Sequence, residues 1–341
     1  MRRLSWRREY VLLGVLMALV VLMALLSEYF FTVDNLLNLT RHQAEVGIIA
    51  CGMTLIIMTG GIDLSVGSLL GLCGIVLGYS WQVWGLGAVP AIGLTLIVGL
   101  AGGAFNGALV TLFSLPALVV TLASMALFRG IAFIISEAQP VSSFPSAFCW
   151  IGQGAVWSVP SQLLIWIFLT LLTAFVTYRT RLGRYAAAIG DNERAAIFAA
   201  LPVGRVKFLL YSASGVLCAL AALILTARFS TAKADAGQLF ELAAITGVVL
   251  GGTSITGGRG SVFGTFLGIL ILGVVRNGLS LAEVSRVWQL VVEGGILIAT
   301  AITNQLIAES ISRAGPRAVG NELHIKGNDA GNIEIGKDGE L

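Results

Sequence analysis

The sequence Thr59-Gly60-Gly61-Ile62-Asp63-Leu64-Ser65-Val66-Gly67-Ser68 decides the class of fold, because it interrupts two long apolar runs at 44–58 and 69–79. Ionisable side chains are costly in hydrocarbon and usually face a bundle interior or an aqueous cavity. Two interpretations are open at this point. The stretch is a turn in which Gly60 and Gly61 end one helix and Asp63 caps the next, or it lines a pathway through a membrane.

The composition indicates an integral membrane protein. Of 341 residues, 57% are hydrophobic and only 11% are charged, whereas a soluble domain carries about 25% charged residues. The 42 glycines suit the close packing of helices in lipid. We therefore expect an all-α, polytopic bundle of membrane helices.

About ten transmembrane helices are predicted, since a crossing needs about 17–25 mostly apolar residues. The candidate runs, several of them short, are 10–27, 43–59, 66–81, 89–113, 117–136, 161–178, 207–228, 242–257, 261–276 and 287–306. The first run lacks a signal-peptide cleavage site and is expected to be an uncleaved span. A tight connection is expected at 113–116, and a longer interfacial loop with a short helix at 137–160.

The distribution of basic residues predicts the orientation. If the N-terminus is cytoplasmic and ten helices alternate, fifteen of the 21 Lys and Arg residues lie on the cytoplasmic side and Arg129 lies within a helix. The five on the outer face are Arg41, Arg228, Lys233, Arg276 and Arg286. This bias follows the positive-inside rule, so both termini are expected in the cytoplasm. Residues 1–311 are then a transmembrane domain, and the polar segment 312–341 is expected to be a disordered cytoplasmic tail.

Residues that carry chemistry are scarce. The chain has two histidines, His42 and His324, and no arrangement of Ser, His and Asp for nucleophilic catalysis is evident. A phosphate-binding loop ending in Lys-Ser or Lys-Thr and a basic patch for nucleic acid are absent from the sequence. Cys51, Cys73, Cys149 and Cys218 form no C-x-x-C pair. We expect no enzymatic activity, no cofactor, no metal site and no nucleic-acid partner.

Glycines recur at four-residue spacing in two of the predicted helices. They are Gly99, Gly103 and Gly107 in one helix, and Gly260, Gly264 and Gly268 in the other. Small residues at this spacing let a second helix backbone approach closely. Asn106 in the first helix either makes an interhelical hydrogen bond, which we favour, or belongs to a polar pathway.

A possible internal repeat links two glycine-rich stretches. Thr59-Gly60-Gly61 and Thr256-Gly257-Gly258 are each followed by a Ser-Val pair and an apolar run. Both stretches lie on the cytoplasmic side in the predicted topology, as a parallel repeat requires. Chance similarity between glycine-rich segments is the alternative.

The segment 180–206 is the longest cytoplasmic loop of the predicted topology. Asp191 or Asn192 is a suitable N-cap for the alanine-rich run that reaches Ala200, and Pro202 ends that run. Two interpretations are open for this helix. It lies on lipid headgroups, or it docks a cytoplasmic partner.

Several motifs in order resemble one known family. They are Gly60 to Ser68, Pro116 with Val120-Thr121-Leu122-Ala123 and Arg129-Gly130, Arg181 to Arg184, Ala188 to Ala196, and Gly251-Gly252 with Gly257 to Thr265. Together they resemble the ribose-type permease subunits of bacterial ABC sugar importers. The resemblance spans residues 30–305. It implies a multi-pass protein of the bacterial inner membrane, in contact with lipid, that forms the channel for a monosaccharide or sugar-like solute.

The resemblance also implies partners and roles. The partners are cytoplasmic ATP-binding cassette subunits, a periplasmic solute-binding protein, and a second permease copy or close paralogue. Residues expected to couple to the ATPase are Arg184, Gly190, Asp191, Asn192, Glu193 and Ala196. Residues expected at the solute pathway or its gate are Asp63, Ser65, Ser68, Asn106, Thr121 and Asn277. The family usually has a glycine near the end of the loop helix, where this chain has Ala199-Ala200.

A second class of function remains open. An ion-coupled secondary transporter of a small polar solute would need carboxylates within the membrane. Asp63 and Glu293 are the candidates for that role.

Overall fold

The computed structural model describes residues 2–326, and this part of the chain is almost entirely helical. Its helices are α1 (Arg2–Leu26), α2 (Val33–Met58), α3 (Val66–Gly78), α4 (Ala88–Leu112), α5 (Ala117–Ser136), α6 (Ser146–Gln153), α7 (Ser161–Arg179), α8 (Arg181–Asp191), α9 (Glu193–Phe198), α10 (Val203–Phe229), α11 (Phe240–Leu250), α12 (Val262–Leu281) and α13 (Arg286–Lys326). A π-helical turn, Tyr79–Val83, continues α3. The four short strands are β1 (Val141–Ser142), β2 (Ala155–Val156), β3 (Val159–Pro160) and β4 (Thr231–Ala232). β1 pairs with β4, and β2 pairs with β3, both antiparallel.

The predicted helical membrane bundle is confirmed. Among the described residues, eight helices are long and apolar enough to cross a membrane. They match eight of the ten predicted runs. The run at 43–59 lies in α2, which has 26 residues and carries Arg41 and Glu45 in its first half. The run at 242–257 differs from the expectation: α11 has 11 residues, or about 16 Å, roughly half of a hydrocarbon core.

The segment before α11, 231–238, is non-helical and lies beside α3. A Cβ atom at Gly67 would overlap the carbonyl group of Gly237, and one at Gly71 would lie 2.8 Å from the carbonyl oxygen of Ala234. The chain after α10 therefore turns back along α3 before α11 begins. The glycines of α3 allow this approach because they present no side chain.

Arg129 of α5 supplies hydrogen bonds to the backbone of this non-helical segment. Its Nη1 atom donates to the carbonyl oxygens of Ala234 and Ala236, the latter at 2.9 Å. Non-helical backbone at membrane depth persists only where protein or water satisfies its polar groups. The one arginine expected inside a helix thus donates to two carbonyl oxygens of a neighbouring non-helical segment.

The first glycine series packs α4 against α10, as the spacing predicts. A Cβ atom at Gly103 would overlap the Tyr211 carbonyl oxygen and approach Gly215 to 3.0 Å, and one at Gly99 would meet Gly215 as well. Gly215 in turn faces Gly99 and Gly103. The two helix backbones are therefore in direct contact, without side chains between them.

The second glycine series packs α12 against α11. Cβ atoms at Gly264 and Gly268 would overlap the carbonyl oxygens of Gly251 and Gly247. The short helix α11 is thereby held against α12, so that it is not free in the bilayer. The predicted packing role is confirmed for the first series and for Gly264 and Gly268. Gly260 lies before the start of α12, where a Cβ atom would overlap the Met58 side chain.

The C-terminal helix extends beyond the predicted domain boundary. α13 runs to Lys326 and enters the segment 312–341 for which composition predicts disorder. Residues 327–341 lie outside the described residues. The division into a domain at 1–311 and a tail at 312–341 stays a prediction.

The α4–α10 contact gives a stability prediction. We expect Gly103→Leu to lower the free energy of unfolding by about 3 kcal/mol or more, because the new side chain meets backbone atoms that cannot rotate away. Gly93→Leu on the same helix is the matched control, since a Cβ atom there has nothing within 4 Å. Thermal unfolding of both purified variants tests this. Equal midpoints would contradict the packing described here.

Candidate translocation and coupling site

The two glycine-rich connections of the bundle meet each other. The first, 59–65, joins α2 to α3, and the second, 251–261, joins α11 to α12. The backbone N–H of Gly258 donates to the carbonyl oxygen of Met58 at 3.0 Å. Gly60 and Gly257 have φ angles of +79° and +90°, a conformation that glycine adopts readily. The two Thr-Gly-Gly motifs of the suspected repeat therefore lie side by side.

The loop 180–206 joins this contact through Gly190. A Cβ atom at Gly190 would overlap the Met58 carbonyl oxygen and lie 3.0 Å from the Cα atom of Gly257. The next residue, Asp191, lies against Gly258 in the same way. Both connections and the loop thus share one tight backbone junction, which we call the glycine junction (58–61, 190–191 and 256–258).

The loop contains two helices where the sequence predicts one. α8 ends at Asp191, and α9 begins at Glu193 and has six residues. Asn192 is the N-cap, and its side chain accepts a hydrogen bond from the backbone N–H of Ala195 at 3.0 Å, so the predicted capping is confirmed at this residue. The sequence interpretation missed α8. Its signal in the sequence is the three-residue spacing of Gly183, Ala186 and Ile189, which the structure buries.

The exposed apolar surface of α9 differs from the one expected. Ala196, a predicted coupling residue, is only 4% exposed and packs with Leu201 and Val203. Ile197 and Phe198 are 57% and 91% exposed. An apolar contact of α9 with a partner would therefore be made by these two side chains. Four other predicted coupling residues are also exposed: Arg184, Asp191, Asn192 and Glu193.

Asp63 lies in a buried network at the start of α3. Its Oδ1 atom accepts hydrogen bonds from the backbone N–H of Ser65 at 2.9 Å and from the Ser65 hydroxyl at 2.7 Å. The Asn106 side-chain amide donates to the same hydroxyl at 2.8 Å. Asp63 is 2% exposed and Ser65 is fully buried. Burial raises the pKa of the Asp63 carboxyl, and the hydrogen bonds from Ser65 and Asn106 oppose that rise.

Two more of the predicted pathway residues join this network. The Thr121 hydroxyl of α5 donates to the carbonyl oxygen of Ile62 at 3.1 Å, and the Ser68 hydroxyl donates to the carbonyl oxygen of Ser65 at 2.8 Å. Asp63, Ser65, Ser68, Asn106 and Thr121 thus form one cluster, which we call the polar cluster. Their role in translocation stays a prediction.

Asn277 lies apart from the polar cluster. It exchanges two side-chain hydrogen bonds with Asn35, at 2.8 and 2.9 Å. This amide pair links α12 to the first turns of α2. In this structure Asn277 therefore has a packing contact, away from the five residues with which it was grouped.

An inner cavity of about 750 Å³ opens beside the glycine junction. Its deep end is formed by 59–61 and Tyr211, and its walls by the α4–α5 turn and by 189–193. The Tyr211 hydroxyl is buried and has no hydrogen-bond partner among the described residues. Sequence patterns gave no signal for Tyr211, because its importance depends on where α10 packs.

An outer cavity of about 610 Å³ lies at the other end of the bundle. Four of the five basic residues predicted on the outer face line it: Arg228, Lys233, Arg276 and Arg286. Their grouping at one end agrees with the predicted topology. Leu70 and Gly237 also line the cavity, at the place where the non-helical segment 231–238 lies against α3.

Buried carboxylates balance part of this positive charge. Glu45, which is fully buried, pairs with Arg228 at 2.8 Å. Glu293 binds Arg276 through two hydrogen bonds, at 2.7 and 2.8 Å, and lies 3.7 Å from Arg286. The sequence analysis missed Glu45. Its signal was an acidic residue inside the apolar run 44–58.

The family comparison covers most of the chain. Residues 35–301 match the model of a family described as branched-chain amino acid transport system / permease component. The chain belongs to this family. The resemblance found in the sequence motifs is confirmed, and we refer to the protein below as the permease.

Curated relatives are similar over nearly their whole length. The ribose import permease protein RbsC of Escherichia coli K12 is 39% identical over 308 residues, which are 88% of this chain and 95% of that protein. RbsC of Bacillus subtilis is 39% identical over 85% of this chain and 90% of that protein. The autoinducer 2 import system permease protein LsrD of Photorhabdus luminescens is 34% identical over 88% of this chain and 91% of that protein. No solved structure matches the chain.

These findings establish the protein's class and location. The permease is a multi-pass protein of the bacterial inner membrane, and its relatives are transport subunits and not themselves enzymes. The described residues contain no cluster of His, Cys, Asp and Glu able to hold a metal ion.

The hydrogen bonds of Asp63 give a second prediction. We expect Asp63→Ala to lower the free energy of unfolding by about 1–3 kcal/mol, because the buried N–H and hydroxyl of Ser65 lose their acceptor. Asp63→Asn keeps an acceptor oxygen and should lose less than half as much. Thermal unfolding of the purified variants measures both. If Asp63→Ala is as stable as the parent, the carboxylate does not hold the start of α3.

Ala200 gives a third prediction, at the position near which the family usually has glycine. Its φ angle is +56°, in the left-handed region that costs a residue with a side chain about 1–2 kcal/mol. We expect Ala200→Gly to raise the free energy of unfolding by up to about 1 kcal/mol, after the greater freedom of glycine in the unfolded chain is subtracted.

The matched control removes the same methyl group one residue earlier. Ala199 has φ −78°, so Ala199→Gly should lower stability by about 0.5–1 kcal/mol. Hydrogen exchange of the α9 amides, with thermal unfolding, reports both variants. Equal effects at the two positions would show that backbone strain at Ala200 is not significant.

Proposed function

We propose that the permease is the membrane subunit of an ABC importer for a monosaccharide or sugar-like solute. A separate ATPase drives it through the loop 180–206, and a periplasmic solute-binding protein supplies the solute. The proposal is supported by the family match and by relatives whose names describe import of ribose and of autoinducer 2.

The observation that carries the coupling proposal is the glycine junction. Gly190 leaves no space between the loop and the connections at 59–65 and 251–261. Close-packed contacts of this kind transmit displacement, because packed interfaces are not continuously deformable. A movement of the loop would therefore act on the starts of α3 and α12 together.

The α9 helix has an exposed apolar surface that the ATPase could contact, and an ion pair holds the helix to the bundle. Phe198 and Ile197 supply the apolar contact, since partly or fully exposed aromatic residues are frequent anchors at interfaces. Lys207 of α10 pairs with Glu193 at 2.7 Å and ties α9 to the bundle. ATP binding by the partner would shift the population of loop positions, and with it the inward-open and outward-open states.

We propose that the polar cluster is the part of the bundle that changes its arrangement when the loop 180–206 moves. It lies two residues from Gly61 of the glycine junction and connects α3, α4 and α5. A movement at 59–61 would reach Asp63 and Ser65 directly along the chain. We place the gate at these residues, with Ser68, Asn106 and Thr121 as its supports.

A second permease copy is proposed to complete the pathway. α5 carries Thr121 on its buried face, and its opposite face exposes Leu118, Val119, Leu122 and Leu127. Gly130 on the same helix has open space around it. This apolar face suits either lipid or a second copy, and the family resemblance favours the copy.

The ion-coupled alternative has weaker support. Of its two candidate carboxylates, Glu293 is engaged by Arg276 and Arg286, and Asp63 accepts hydrogen bonds from Ser65. Proton or sodium coupling needs a carboxylate that can exchange its partner for an ion. Neither group is free to do so in this conformation.

Phe198 gives a direct test of coupling. We expect Phe198→Ala to reduce stimulation of the ATPase by loaded binding protein at least about tenfold, the effect of losing a central aromatic anchor worth about 2 kcal/mol. The measurement is ATP hydrolysis and solute uptake in vesicles that contain the complete importer.

The matched control is Phe168→Ala, which removes an exposed ring from α7. It should leave stimulation close to that of the parent. Full stimulation of Phe198→Ala in an assembled complex would move the docking surface away from α9. Uptake that needs an ion gradient and no ATP would overturn the proposed function itself.

A further inference from the structure

The inner cavity has the size of a ligand site. Its volume of about 750 Å³ lies within the usual range of about 300–1,000 Å³ for small-molecule sites. The α4–α5 turn with Ser114 and Pro116 lines it, and so do Asn192 and Glu193 of the loop. The cavity therefore lies between the coupling loop and the membrane bundle, beside the glycine junction.

Hydrogen-bond acceptors and donors both face this space. Thr59 and Thr111 line the cavity, and their hydroxyls already donate to helix carbonyl oxygens, so the remaining capacity of these hydroxyls is to accept. Asn192 uses its carbonyl oxygen to cap α9, so its NH₂ group remains as a donor. A complementary ligand must donate and accept at short intervals, as a chain or ring of hydroxyl groups does.

Tyr211 provides an independent sign of a missing partner. It lines the deep end of the cavity, is 1% exposed, and its hydroxyl has no hydrogen-bond partner among the described residues. The hydroxyl lies against Gly61, where a Cβ atom would be only 2.8 Å away. A buried hydroxyl that makes no hydrogen bond is unfavourable, and a bound hydroxyl group would relieve this.

The charges around the cavity disfavour an anionic ligand. Glu193 and Lys207 pair with each other at 2.7 Å and cancel. Asp191 then leaves the lining with an excess of negative charge. A phosphate or carboxylate would be repelled by Asp191, whereas a neutral molecule would not.

We propose that the inner cavity binds a neutral, polyhydroxylated solute of about monosaccharide size. The site lies within one copy of the chain and is separate from the outer cavity. Because α8 and α9 form one of its walls, an occupant would restrain the coupling loop. That consequence rests on the proposed function, but binding itself does not.

The test measures binding by the full-length permease alone, reconstituted in phospholipid nanodiscs without ATPase or binding protein. The probes are radiolabelled D-ribose, D-glucose and myo-inositol, with D-ribose 5-phosphate as the anionic comparison. We expect at least one neutral probe to bind and the phosphate not to bind. Tyr211→Phe should weaken binding about three- to tenfold, the loss of one hydrogen bond. Gly204→Leu, which fills the lining beside Thr111, should abolish binding.

Matched variants keep the test specific. Tyr29→Phe changes an exposed tyrosine, and Gly93→Leu adds the same side chain where nothing lies within 4 Å; both should bind like the parent. Location is checked with Ser114→Cys, because the four native cysteines are buried. A membrane-impermeant maleimide should react with it more slowly when the neutral probe is present.

Three results would overturn the proposal. The first is that no neutral probe binds. The second is that Gly204→Leu binds the probe as well as the parent does. The third is that the purified parent retains a phospholipid that Gly204→Leu has lost. The last result would identify the cavity as a lipid site. Because none of these measurements needs ATP, a failure here is distinguishable from a failure of the coupling proposal.

Discussion

The close approach of three backbone segments at the glycine junction is the constraint on which the rest of the permease depends. Met58, Gly190 and Gly257 lie so near to one another that a methyl group on either glycine would overlap a neighbour's backbone. The hydrogen bond from Gly258 to Met58 closes the contact. This junction connects the membrane helices to the loop 180–206, so the geometry of the polar cluster and that of α8 and α9 are fixed together.

A second constraint is the need to satisfy backbone groups away from water. The non-helical segment 231–238 contains turns closed by backbone hydrogen bonds from Ala236 to Lys233 and from Gln238 to Asp235, and Arg129 supplies donors to two further carbonyl groups. The same need explains the glycines of α3, which let this segment approach, and the short length of α11. The segment in turn forms part of the outer cavity. A broken crossing at this position therefore produces a polar recess inside the bundle.

The outer and inner cavities approach the start of α3 from opposite ends. The outer cavity reaches Leu70, and the inner cavity reaches Gly61. The polar cluster around Asp63 and Ser65 lies in the part of the chain between these residues. The side chains of this cluster hydrogen-bond to one another. These bonds give the start of α3 one defined arrangement without contact with solvent.

The sequence by itself determined the membrane class, the helical architecture and the family. These properties depend on composition, on run length and on short motifs such as 60–68, all of which are local in the chain. Glycine spacing also predicted the α4–α10 contact, because four-residue spacing defines one helix face. Only the tertiary structure decided that 242–257 is half of a crossing, that Ala196 is buried while Phe198 is exposed, that Asn277 pairs with Asn35, and that Tyr211 faces a cavity. Each of these depends on which residues distant in sequence pack together, and a side chain's neighbours across helices leave no periodic signal in its own segment.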